Sequence, residues 1–91
     1  MTDIVINDDK LKKVVGGAGG IYHSFSIGDK FICSWGKNYR VYTVNESIDC
    51  ESENTLVSCY LETFNSAGEL TCTPWNTTES AWRLLSYDKI N

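Results

Sequence analysis

Proline occurs once in these 91 residues, at Pro74, and histidine once, at His23. Pro74 falls between elements, where its missing N–H breaks no ladder. A lone histidine offers little chemistry, because a Cys–His nucleophile pair also needs an unpaired cysteine beside it. We therefore read His23 as a surface residue, assign no catalytic residues and expect no enzyme. No glycine loop runs into a GK[ST] motif, so no phosphate cradle is present. No run of about 18 apolar residues occurs, so no transmembrane helix is expected. The N-terminus lacks a basic region followed by a long apolar one, which excludes a conventional secretory signal there. Positive charge is scarce too: 8 Lys and Arg against 12 Asp and Glu give a net charge of −4. That balance argues against nucleic acid as a partner and against direct membrane insertion.

Four cysteines are present, Cys33, Cys50, Cys59 and Cys72, with spacings of 17, 9 and 13 and no CxxC pair. A structural zinc site needs closer ligand pairs, so no metal is expected. Around Cys50 the acidic stretch lacks the regular ligand spacing of a calcium loop. An even cysteine count in so short a chain suggests two disulfides and an oxidising destination, with four buried free thiols as the other reading. No cofactor is expected.

What the chain does carry is a division near position 17. Counting back from Gly17 as minus one, Gly16 stands at minus two, Val14 at minus four, Leu11 at minus seven and Ile6 at minus twelve. Polar residues fill most of the interval, and the first seventeen residues balance three acids with three lysines. This register resembles the double-glycine leaders of bacteriocin precursors. The resemblance implies an ABC transporter with a cysteine peptidase domain that grips Ile6, Leu11 and Val14 and cuts after Gly17. Two residues without Cβ fit an extended backbone into a narrow cleft. Lys10 stands at minus eight, where that family usually has an acid; Asp8 and Asp9 lie one and two places earlier. The other reading of the glycines is a flexible linker. Residues 1–17 are thus expected to be a disordered or nascent-helical leader, and residues 18–91 a small domain.

Beyond Ile21 the pattern alternates. Phe25 to Trp35 reads as two strand segments interrupted at Gly28 and Asp29, and Tyr39 to Val44 as another strand after a turn at Gly36 to Asn38. Asn45 to Asn54 reads as an acidic loop. Leu56 to Phe64 alternates with Val57, Cys59 and Leu61 on one face. Asn65 to Gly68 signals a turn, with Leu70 to Thr73 as the partner strand. Pairing Leu61 with Leu70 would set Cys59 opposite Cys72 and leave Cys33 with Cys50; the other two connectivities stay open. At the end, Asn76 and Glu79 suggest a capping box before a helical face of Ala81, Trp82, Leu84 and Leu85. Trp82 to Tyr87 as a closing strand is the preferred alternative. The expected fold is mainly β: a small antiparallel sheet or SH3-like five-stranded barrel, with a C-terminal strand or short helix.

All 11 aromatics follow Gly20. Tyr22, Trp35, Tyr39, Tyr42, Trp75 and Trp82 could line a contact surface, but most are expected in the core. The functional expectation is a secreted, bacteriocin-like protein acting on an extracellular protein or cell-surface target. The alternative is a secreted binding or inhibitor module that uses the same export leader. A third reading, enzymatic dehydration of some of the 16 Ser and Thr after Gly17, sits poorly with strands patterned to pack unaided.

Overall fold

The structure, a computed structural model, describes residues 20–91. Ile6, Leu11, Val14, Gly16 and Gly17 lie outside the described residues. The elements are β1 (His23–Phe25), β2 (Lys30–Trp35), β3 (Asn38–Val44), β4 (Ile48–Cys50), β5 (Leu56–Phe64), β6 (Trp75–Ser80), α1 (Ala81–Ser86) and β7 (Asp88–Lys89). They form a five-stranded antiparallel sheet in the order β6-β5-β3-β2-β7 and a two-stranded ribbon of β1 and β4. β2, β3, β5 and β6 lie side by side in chain order, and after α1 the last strand, β7, returns beside β2. β6 and β7 do not pair, so the sheet stays open.

Alternation gives the sheet an inner and an outer face. Phe31, Tyr42, Leu61 and Trp75 are mutual cross-strand partners and form one inner row over β2, β3, β5 and β6. Cys33, Arg40 and Thr63 form the next row, and Trp35 with Asn38 the one after. Gly36 and Lys37 close the β2–β3 hairpin, and Gly36 at φ 65° supplies the left-handed residue that such a tight turn favours.

The core lies between the inner face, the ribbon and α1. Phe25, Phe31, Tyr42, Val44, Cys50, Val57, Cys59, Leu61, Ala81 and Leu84 are buried there together. Phe25 of the ribbon meets Phe31 edge-on, with centroids 5.7 Å apart. Burying each large apolar side chain is worth roughly 1.5–3 kcal/mol.

Three expectations need correction. The acidic loop contains β4, whose Ile48 and Cys50 turn inward while Asp49 faces out and accepts the Ser24 hydroxyl. Three residues between acidic flanks are too few for alternation to register. Leu70 to Thr73 is not the partner of β5. Leu70 makes a single bridge to Phe64, and the ladder restarts at Trp75 opposite Leu61, two positions past that register. The Asn65 side chain organises the turn by accepting from the N–H groups of Ala67 and Glu69, and Thr71 N–H still reaches Thr63 O. The slip falls in residues 71–74, which end in the donor-less Pro74.

The third correction is at the C-terminus, where Trp82 to Tyr87 is not a strand. Ala81 and Leu84, three apart, bury one face of α1, while Trp82 and Leu85 face out. Asn76 and Glu79 belong to β6 and form no capping box. The N-cap Ser80 makes no side-chain cap; instead Ala81 N–H and Trp82 N–H donate to the carbonyls of Thr55 and Glu53, at 2.9 and 3.0 Å. Backbone of the β4–β5 loop thus satisfies the helix start. β7 pairs with β2, and Asn91 extends the contact by accepting from Lys30 N–H and donating to Gly28 O.

Candidate functional site

None of the expected disulfides is formed. Cys33, Cys50, Cys59 and Cys72 all carry free thiols. Cys50 and Cys59 are buried in the core, Cys33 packs against it and Cys72 is exposed. Cys59 lies opposite Thr77 and Val44 rather than Cys72, because the shifted β5–β6 register carries Cys72 into the irregular stretch before Pro74. Burial pushes the Cys59 thiol up to about 11 and raises those of Cys33 and Cys50. Thiolate, the nucleophilic form, is disfavoured at all three. His23 is exposed, its ring 4.7 Å from that of Phe25. Among the described residues no three His, Cys, Asp or Glu side chains converge as a metal site.

The assignment of most aromatics to the core fails for the tryptophans. Trp35, Trp75 and Trp82 are 53%, 43% and 44% exposed, and Tyr22 is exposed as well, while Tyr42 is buried. Trp35 ends β2, Trp75 opens β6 and Trp82 sits on the outer side of α1, all at margins of the core. Both arginines of the chain stack on tryptophans: Arg40 lies 4.0 Å over the Trp35 ring and Arg83 lies 5.5 Å over Trp82.

The Arg40 stack has the more elaborate surroundings. Burial falls off along β2 and β3 over three rows: Phe31 and Tyr42 are buried, Cys33 and Arg40 are half-buried, and Trp35 is exposed. The Arg40 guanidinium lies in the neighbourhood of the Tyr42 hydroxyl and the Cys33 thiol, where its charge opposes the effect of burial on both. Tyr42 stacks on Tyr87, centroids 5.5 Å apart, and the Tyr87 hydroxyl donates to Glu79 Oε2 at 3.0 Å. Burial, with the carboxylate of Glu79 beside it, raises the Tyr87 phenol above its usual range. Arg40 Nε is buried with no hydrogen-bond partner, alone in this among the described residues.

The arrangement is a cation over an exposed aromatic ring, with hydroxyl and thiol neighbours. Its chemistry suits anion recognition next to apolar contact. Sequence reading missed it, although the signal was present. A two-residue turn at Gly36 and Lys37 fixes Cys33 opposite Arg40, which sets Trp35 and Arg40 diagonally on one face. No protein-family model, no curated protein and no solved structure matches this chain.

Proposed function

We propose that this chain is the precursor of a secreted bacterial, bacteriocin-like protein, exported and cut after Gly17 by a peptidase-containing ABC transporter. The observation that carries the reading is the spacing of Ile6, Leu11 and Val14 ahead of Gly16 and Gly17. The fold supports it in one respect. The core assembles from residues between Phe25 and Leu84, and Tyr22 N–H already bonds Cys50 O at 2.8 Å, so the described residues supply a packed body downstream of the cut. An acidic product with exposed tryptophans is better suited to a protein or cell-surface target than to anionic lipid.

The test is cleavage of the full chain by such a peptidase domain, followed by intact mass. One cut is expected, leaving a product that begins at Ala18, with Leu11→Asn and Val14→Asn slowing it at least tenfold. Cutting at an unchanged rate in both variants would remove the basis for the leader. The Arg–Trp stacks favour a second reading, a secreted binding or inhibitor module exported in the same way. Activity of the cut product against related bacteria supports the first; its absence, with retained binding, supports the second.

A further inference from the structure

The environment of Arg40 points to a ligand site that stands independently of the leader. Arg40 is one of only two arginines in an acidic protein, yet among the described residues no carboxylate pairs with it. The other arginine, Arg83, has Glu79 at 4.0 Å. Contact with Trp35, 4.0 Å from Cζ to the ring centroid, restrains the guanidinium, a group whose planar fork suits two-pronged hydrogen bonds. Nε is buried without a partner, which leaves the terminal amino groups as the donors that a ligand would meet. Beside it, the exposed part of the Trp35 ring offers apolar area.

We propose that Trp35 and Arg40 form a binding shelf for a carboxylate carried next to an aromatic or apolar group. One guanidinium balances a single negative charge. A phosphate dianion is disfavoured by the −4 net charge of the chain and by Glu79, whose charge is felt at Tyr42 and Cys33 in the same cluster. The carboxylate takes the guanidinium edge and its apolar neighbour lies against the indole.

The full chain labelled with nitrogen-15 gives one indole N–H signal for each of its three tryptophans, and Trp35→Phe identifies the one concerned. N-acetylphenylalanine is expected to shift the Trp35 signal saturably, and its amide, which lacks the charge, to bind about tenfold or more weakly. Arg40→Gln is expected to abolish the difference between acid and amide, and Arg40→Lys to keep part of it. A blocked tetrapeptide ending in phenylalanine separates the sources: tighter binding than the single residue assigns a chain end, and equal binding a small free acid. Equal affinity for acid and amide in the unmodified chain would overturn the proposal without recourse to any variant. So would tighter binding of phenyl phosphate, or saturable shifts at Trp75 or Trp82 with none at Trp35.

Discussion

The hydroxyl of Tyr87 donates to the carboxylate of Glu79 across 3.0 Å, linking the residue just ahead of edge strand β7 to the opposite edge strand β6. Between them the chain runs through α1, so one side-chain bond spans the same gap that the helix spans in backbone. The two sheet edges are drawn together without a ladder between them. Tyr87→Phe keeps the stack on Tyr42 and removes only this bond. It is expected to cost about 1–3 kcal/mol, since it also leaves a mostly buried carboxylate oxygen short of a donor. Urea unfolding measures it; an unchanged midpoint would mean the edges are held by α1 alone.

Leu84 and Leu85 are neighbours with opposite fates. Leu84 is wholly buried and Leu85 is exposed. Leu84→Ala should destabilise the domain by roughly 2–5 kcal/mol, whereas Leu85→Ala should stay within about 0.5 kcal/mol. Equal losses on thermal melting would place the buried face of α1 elsewhere.

Gly36 makes its contribution through backbone conformation. A Cβ there would meet no atom within 4 Å, but φ is +65°. Gly36→Ala is expected to cost about 1–2 kcal/mol with no change in the inner core, and Gly36→Asn distinctly less. Denaturant midpoints for the pair decide this.

Alkaline pH should weaken the fold. The Cys59 thiol rises from 9.0 to about 11 because burial disfavours its thiolate. Between these values the unfolded chain has shed a proton that the folded chain keeps, so stability is complete below pH 9 and falls as pH climbs. One such group gives a slope of about 1.4 kcal/mol per pH unit across the window. Cys33 and Cys50 shift in the same direction and add to it. Cys59→Val, which does not titrate, should flatten the slope in urea titrations at pH 8, 9 and 10.

Thiol reactivity checks the cysteine arrangement directly. In the native protein a thiol reagent should modify the exposed Cys72 fastest and Cys50 and Cys59 slowest. All four should react in denaturant without added reductant. Fewer than four under those conditions would mean that bridges form after all.

The sequence revealed those parts of the fold that depend on repetition. Leu56 to Phe64 alternates for nine residues, and its bounds as a strand are those of β5. The β2–β3 hairpin was legible for the same reason, helped by Gly36. What stayed hidden depends on partners rather than pattern. β4 is a strand because β1 lies beside it. The helical start at Ala81 takes its acceptors from Glu53 and Thr55, which no local signal announces. The choice of Trp75 over Leu70 as the resuming partner of β5 is settled by where the slip can be housed, near Pro74. The tryptophans misled because size suggests burial, while their places at strand ends and on the outer helix face leave half of each ring in water. For the site, the diagonal of Trp35 and Arg40 could be counted from the turn, but the orphaned Nε could not.

β7 closes on β2 by pairing Lys89 with Phe31, from opposite ends of the described chain. During synthesis the flank of β2 must therefore wait, bare, until β7 has left the ribosome, and only then can the domain finish folding. A nascent chain of this kind is most vulnerable to aggregation just before completion, at the row of unpaired amides that β7 finally covers.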